Sequence, residues 1–234
     1  MHKKILKLFK ITGTKYFWGN YFDSRFYIGS LISKKKTNTI LDIGCGCGIF
    51  LHLSNADRKI GLDLSLESLH NAKKLEPTMD LICGDATNLP FKDDFFTYII
   101  AVQILAELKK SNLDWKKGMN ETIRVAKKNN SEIIFSGNNR ASRHFEKYDL
   151  KSRKKYLTCN EQLEILNDKY SVIAEGYDPH SKVIMFILKK IFYNIPEKII
   201  EGLYIEKILH RLLRSKRFLK NGRSYIIQCK IKNK

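Results

Sequence analysis

The order of apolar runs and glycine turns predicts an α/β protein built on a doubly wound, largely parallel sheet. Three observations carry that expectation. Apolar runs at residues 40–43, 59–64, 80–86 and 96–102 alternate with stretches of helical spacing. The first run ends in a turn with glycines at every second position, Gly44, Gly46 and Gly48, and the turn opens into a helix start at residues 49–53. The second and third runs each end near an aspartate, Asp63 and Asp85.

Ile40, Leu41 and Ile43 suffice for one buried strand. Side chains at the three following glycines would block a ligand from the backbone and forbid φ > 0 in the turn. Strand, glycine turn and helix start together form a cradle for a polar or charged group. A tight turn in some other α/β protein is the plainer reading of the same residues. Spacing separates the two. A dinucleotide turn reads G-x-G-x-x-G. Here the third glycine comes two residues after the second, and Asp42 stands two residues before the first.

Bulk properties set limits. With 234 residues and 43% hydrophobic content, the chain can bury a substantial core as one large domain or two small ones. Its five cysteines, Cys45, Cys47, Cys83, Cys159 and Cys229, are scattered and include no C-x-x-C pair, so they read as reduced thiols without a metal role. The formal charge of +19 invites a nucleic-acid reading. Lysine is abundant along the whole chain, however, and a diffuse excess makes a solvated surface rather than a specific site. The start, MHKKILKLFK, lacks the apolar core of a secretory signal, and no run reaches the ~18 apolar residues of a membrane span.

In chain order, Asp23 is placed to cap a helix carrying Phe26, Tyr27, Leu31 and Ile32, closed by Lys34, Lys35 and Lys36. The preceding KYFWGNYF is either a packed flap or a lid whose Tyr16, Tyr21 or Arg25 reaches the site. Ser65 caps a helix over residues 66–75, with Leu66, Leu69 and Ala72 as its core face. The fourth strand runs to Gln103. Asn112 then caps a helix over residues 113–128 whose inward face is Trp115, Met119, Ile123 and Ala126. Asn129 and Asn130 tolerate a left-handed turn into the fifth strand. The connection that follows is polar and basic, with Arg140, Arg143, His144 and Arg153. A helix over residues 161–167 and a sixth strand over residues 170–176 come next. The last strand, residues 224–231, alternates well enough to run antiparallel. Between these two strands lie about forty residues with an apolar stripe, Ile195, Ile199, Leu203, Ile208 and Leu212, and a basic cluster, Arg211, Arg214, Lys216 and Arg217.

The D-x-G-x-G-x-G pattern from Asp42 to Gly48 resembles motif I of the class I S-adenosylmethionine (SAM)-dependent methyltransferases, whose loop backbone receives the methionine end of the cofactor. DATNLPFKDDFF is similar to that family's D-A-x-x-L-P-F-x-D-x-x-F-D: it matches at Asp85, Ala86, Leu89, Pro90, Phe91, Asp93 or Asp94, and Phe96, and departs at Thr97. ETIRVAKKNNSEIIF resembles E-x-x-R-V-L-K-P-G-G-x-L-x-I. The likeness spans residues 37 to 137 with a looser tail to 180, and is greatest to the ubiquinone and menaquinone methyltransferase branch. It implies cofactor contacts at Asp42, Gly44, Cys45, Gly46, Gly48, Asp63, Leu64, Asp85, Ala86 and Gln103. Asp63 would accept the ribose hydroxyls, Asp85 the exocyclic amine of adenine, and the Ala86 backbone would face the ring. Family members often carry a histidine near Glu107; its absence here leaves no general base to name.

The expectation is thus one methyltransferase domain over residues 1–234: an N-terminal helical lid (1–36), a cofactor-binding core (37–180), a basic helical insertion (181–222) and a final strand (223–234). Its sheet is Rossmann-like, with seven strands, six parallel and the last antiparallel. The expected reaction is methyl transfer from SAM to a small-molecule or lipid-like acceptor, in the cytoplasm, with a peripheral contact to anionic membrane as a further option. An RNA methyltransferase holding phosphates on the basic insertion is the first alternative, and a non-catalytic membrane-surface protein the second. The glycine spacing and Asp85-Ala86 argue against a nicotinamide-dependent oxidoreductase. No [DNS]-P-P-[YFW] follows the fourth strand, which argues against amino-methylation of adenine or glutamine, and the missing Pro-Cys pair argues against cytosine C5 chemistry.

Overall fold

A computed structural model describes residues 24–138, 157–166, 170–177, 214–215 and 224–231. In chain order they form α1 (Ser24–Lys34), β1 (Lys36–Ile43), α2 (Ile49–Leu53), β2 (Asn55–Asp63), α3 (Leu66–Leu75), β3 (Asp80–Cys83), β4 (Tyr98–Val102), α4 (Ile104–Lys110), α5 (Trp115–Val125), β5 (Glu132–Asn138), α6 (Cys159–Leu166), β6 (Tyr170–Tyr177), β7 (Arg214–Ser215) and β8 (Ser224–Ile231). The strands make one sheet in the order β3-β2-β1-β4-β5-β8-β6-β7. β1 to β5 are mutually parallel, and β8 lies antiparallel between β5 and β6. All seven expected strands are present. The two-residue β7 adds an antiparallel edge to β6 at Gly176 and Tyr177. It corrects the helical reading of residues 181–222 at Arg214 and Ser215; the rest of that insertion, residues 1–23 with Tyr16, Tyr21 and Asp23, and the basic connection at Arg140, Arg143, His144 and Arg153 lie outside the described residues.

Alternation along the strands divides the core between two faces. Leu41, Ile43, Ile99, Ala101, Ile133 and Phe135 pack under α4, α5 and α6. Ile40, Tyr98, Ile100 and Ile134 pack under α1, α2 and α3, where Ile28, Ile32, Leu51 and Leu69 close over them. α1 is therefore a core helix along its buried face. β8 departs from simple alternation because both its faces are covered: Tyr225 and Ile227 join the first cluster and Ile226 the second. Thr97, the departure from the family pattern, stitches β4 to β1. Its hydroxyl donates to the Thr39 carbonyl at 3.0 Å, and its N–H donates to the Thr39 hydroxyl at 3.2 Å.

The caps refine the expected boundaries. Ser65 caps α3, its hydroxyl accepting from the Ser68 N–H at 3.1 Å. Leu66 is not core: it is 70% exposed, because the first turn of α3 stands at the sheet rim where β2 has already ended. Asp114, not Asn112, caps α5, its carboxylate accepting from the Lys117 N–H at 3.0 Å. Asn112 instead takes φ +59° in the turn between α4 and α5. Asn130 takes φ +65° ahead of β5, the left-handed turn expected there. Among the described residues no helix is long and apolar enough to cross a membrane.

Candidate cofactor site

The glycine turn leaves β1 at the middle of the sheet, and its three glycines answer three different demands. All have positive φ: +73° at Gly44, +50° at Gly46 and +73° at Gly48. A Cβ on Gly44 would lie 3.1 Å from Ile104, so this glycine seats the turn against α4. A Cβ on Gly48 would lie 3.0 Å from both Ala72 and the Met79 sulfur, so this one seats α2 against α3. A Cβ on Gly46 would meet nothing within 4 Å. Gly46 is the open position, where bare backbone faces outward.

The turn spends its donors inward. Gly44 and Cys45 N–H both donate to the Leu62 carbonyl, at 2.7 and 3.1 Å, and Gly48 N–H donates to the Cys45 carbonyl at 2.9 Å. Gly46 N–H donates to Asp63 Oδ2 at 2.8 Å. The sequence suggested a backbone cradle of donors; the folded turn offers an open shape with a carboxylate fixed beside it. Asp63 Oδ1 also accepts, from the Ser65 N–H at 2.9 Å. Two backbone donors thus orient the carboxylate and leave about half of its roughly four acceptor sites unfilled.

Asp42, one strand layer below, is 1% exposed, and its Oδ2 has no hydrogen-bond partner. Burial, with the Asp63 charge adding to it, pushes this carboxyl up to about 8. A buried carboxyl with an orphaned oxygen beside an open turn is complementary to a ligand that brings a donor or a positive charge. Cys45 is buried as well; desolvation, then the Asp42 and Asp63 charges, hold its thiol well above the usual range and keep it inert. A Cβ on Gly61 would lie 2.8 Å from its sulfur, which explains a glycine in the middle of β2.

Register carries the remaining predicted residues to the same rim. Asp63 pairs with Cys83, and Gly84 N–H donates to the Asp63 carbonyl at 3.1 Å, so Asp85 leaves the sheet one strand further out. Asp85 is exposed, and its two oxygens accept from the N–H and hydroxyl of Thr87, each at 2.8 Å. Ala86 is buried against α5, and Leu64 is 65% exposed at the mouth. Gln103 ends β4 with φ +66°, a left-handed conformation unusual for glutamine, and its N–H donates to the Ser136 carbonyl at 2.8 Å. Glu107 is exposed and paired with Lys110. Among the described residues no group of His, Cys, Asp or Glu has the makings of a metal site.

Sequence reading quoted Glu121 and Arg124 only as part of a family pattern, and missed what they do. The Arg124 guanidinium donates to the Leu89 and Phe91 carbonyls at 3.0 and 2.8 Å, to Asp93 at 2.6 Å, and to both oxygens of Glu121 at 2.7 and 2.8 Å. Glu121 accepts in turn from the Leu89 N–H at 2.8 Å. The available signal was the i, i+3 spacing of an acid and an arginine on α5.

Known proteins share part of this sequence and its fold. The family model for a methyltransferase domain matches residues 40–129. A tRNA (carboxymethyluridine(34)-5-O)-methyltransferase of Arabidopsis thaliana is 33% identical over 99 residues, 42% of this chain and 23% of that one. A demethylmenaquinone methyltransferase of Renibacterium salmoninarum is 39% identical over 75 residues, 32% of this chain and 30% of that one. The chain thus spans well under half the length of these curated relatives. In fold, a SAM-dependent methyltransferase of Thermotoga maritima superposes with a TM-score of 0.61 at 18% identity, covering 98% of this chain and 99% of that one.

Residues 40–129 match the model of a methyltransferase domain, and the fold is one shared with the class of SAM-dependent methyltransferases. The residues present fit the cofactor of that class. Gly46 leaves the space a side chain would fill, Asp63 and Asp85 present acceptors at the same rim, and Asp42 offers an unpartnered buried oxygen.

Proposed function

We propose that this chain transfers a methyl group from SAM to a small-molecule or lipid-like acceptor, in the manner of the quinone methyltransferase branch. The observation that carries the reading is the 2.8 Å bond from Gly46 N–H to Asp63, which places an oriented carboxylate against the one glycine whose outer face is open. SAM, when bound, supplies a methyl group already activated on a sulfonium. The protein's part is to bind, align and exclude water, and a general base is needed only where the acceptor's own proton is hard to lose. Asp63 holds the ribose hydroxyls, Asp85 and Ala86 the adenine, and Asp42 the cationic end. The likeness to the demethylmenaquinone enzyme favours the quinone-like branch.

Titration calorimetry of the intact chain with SAM and with S-adenosylhomocysteine tests the cofactor assignment. Binding is expected, with loss in Asp63→Ala and Gly46→Val. A folded wild-type chain that takes up neither ligand ends the proposal. Mass spectrometry of the protein as purified, searching for a retained acceptor, addresses the substrate.

Two observations favour a second reading. The plant relative acts on tRNA, and the chain's formal charge is +19. An RNA substrate predicts affinity that falls steeply with salt. RNA binding that is absent or indifferent to salt removes this reading and leaves the first. A peripheral membrane contact would rest on the basic start and the 181–222 insertion; flotation with anionic vesicles, with and without the insertion, decides it.

A further inference from the structure

We infer that Glu121 and Arg124 are positioning residues: from α5 they clamp the loop after β3, so that cofactor affinity depends on two side chains that do not line the cradle. The inference rests on the reading of Asp85 and Ala86 as the adenine wall.

Residues 84–97 connect β3 to β4 without regular structure apart from an isolated bridge at Phe96, so their backbone groups need partners from elsewhere. The first part is locally tied: Thr87 closes on the Asp85 carboxylate, and Asn88 N–H donates to the Asp85 carbonyl at 3.1 Å. The middle part closes on itself by one bond and leaves other backbone groups to α5. Leu89, Pro90 and Phe91 form a tight turn, with Phe91 N–H donating to the Leu89 carbonyl at 2.8 Å, and Pro90 has no N–H to offer.

α5 supplies what is missing, from residues three apart on one face. At Gly118 the lack of a side chain lets the loop approach: a Cβ there would lie 3.5 Å from the Ala86 carbonyl oxygen. At Glu121 a carboxylate accepts from the Leu89 N–H. At Arg124 the guanidinium reaches the Leu89 and Phe91 carbonyls and Asp93. All five of its N–H donors are used, three on the loop and two on Glu121. Glu121 is held below the usual carboxylate range, chiefly by Arg124, and Arg124 above its own, chiefly by Glu121. The fork is planar and fully subscribed. A lysine would keep the charge and lose the geometry.

A clamp on the loop differs from a brace for the fold. The Arg124 side chain is partly exposed, and Asp93 is largely exposed. Pairs in such settings contribute little to global stability. Their removal is expected to loosen residues 85–94 while the sheet keeps its protection.

The test compares Arg124→Lys, Arg124→Gln and Glu121→Gln with wild type in the intact chain. Amide exchange is followed at residues 85–94, with β1 and β4 as internal reference, and S-adenosylhomocysteine is titrated by calorimetry. In both Arg124 variants the Leu89 and Phe91 amides are expected to exchange faster, with β1 and β4 unchanged. Ligand affinity should fall about tenfold, the scale of one lost charge-assisted contact. Saturating ligand should restore part of the lost protection. Rescue by Arg124→Lys would show that charge suffices and overturn the clamp. So would wild-type loop exchange in the Arg124 variants, or faster exchange with unchanged affinity. Should an arginine variant unfold, Glu121→Gln preserves volume and is read the same way. A wild-type chain that binds no S-adenosylhomocysteine refutes the cofactor reading, while the exchange arm still decides whether the clamp exists.

Discussion

Asp42→Asn should make the protein's stability much less sensitive to pH, and the size of the effect follows from where the carboxyl sits. Asp42 is buried on the sheet face covered by α1, α2 and α3, its Oδ2 is unpaired, and the ionised Asp63 lies nearby. Both burial and that charge favour the protonated form, raising its pKa from 3.8 to about 8. Below about pH 4 the group is protonated in the folded and the unfolded chain alike, and the full stability is present. As pH rises further, the unfolded chain releases the proton and the folded chain keeps it. Folding stability then falls by about 1.4 kcal/mol per pH unit until the folded carboxyl ionises near 8.

Between pH 5 and pH 8 the wild type should therefore lose up to about 4 kcal/mol through this one group, a large part of the stability of an ordinary domain. Asparagine has the same shape and no charge to suppress, so the variant lacks this term. Urea unfolding at pH 5, 6.5, 8 and 9 measures the gap between variant and wild type. It should be smallest at pH 5, widen in favour of Asn up to pH 8, and stay level at pH 9. A gap constant within about 0.5 kcal/mol across the series would mean that Asp42 is ionised throughout, and the account of a suppressed charge beside the turn would be wrong.

Further substitutions separate the demands made on single residues. Gly46→Ala meets no neighbour and should cost only the left-handed backbone, about 1–2 kcal/mol, while Gly48→Ala adds a clash with Ala72 and Met79 and should cost about 3 kcal/mol or more. Thermal melts should rank them in that order and ligand titration in the reverse; a larger melting loss for Gly46→Ala contradicts the division of labour. Gln103→Gly relieves a left-handed glutamine and should leave stability unchanged or raise it by about 1 kcal/mol, at the expense of S-adenosylhomocysteine affinity; a clear loss of melting temperature would show that the side chain braces the fold. Gly137→Ala would drive a Cβ to 2.5 Å from the buried Tyr225 hydroxyl, which accepts from Gln162 at 2.7 Å, and should cost about 2–3 kcal/mol; Tyr225→Phe in the same chain should recover part of that, and strict additivity of the two by chemical denaturation would refute the contact.

What the sequence disclosed and what it hid divide along the range of the interactions involved. α2, α3 and β8 begin and end where their residues say, because the signals are local: left-handed Gly48, the hydroxyl of Ser65, an apolar run between polar flanks. The open turn and the acids at the strand tips were legible for the same reason, since each is a demand on a single position. Local rules failed where two candidates stood side by side, as with Asn112 and Asp114, and only the path of the chain selected the cap. They failed again at Leu66, whose helical spacing is right but whose turn overhangs the rim. Arg124 was opaque for a deeper reason. Its partners on the loop are backbone carbonyls and a carboxylate more than thirty residues upstream, and a carbonyl carries no residue type for a pattern to show.

The same distinction explains why departures from the family pattern leave this half of the molecule intact. Thr97 stands where an aspartate is usual, yet the position asks for a side chain that ties β4 to β1, and a hydroxyl bonded to Thr39 meets that demand. Asn130 stands where glycine is usual, and the position asks for φ near +65°, which asparagine reaches more easily than any other residue with a side chain. Gly46 admits no such exchange. Its backbone lies at +50° with one face on Asp63 and the other open, so any substitute meets a conformational cost inside and, under the proposed cofactor reading, fills the ligand's space outside. A position constrained from one side tolerates replacement by whatever meets the constraint. A position constrained from both sides is where binding and folding make the same demand, and the proposed cofactor reading puts the middle glycine of the turn there.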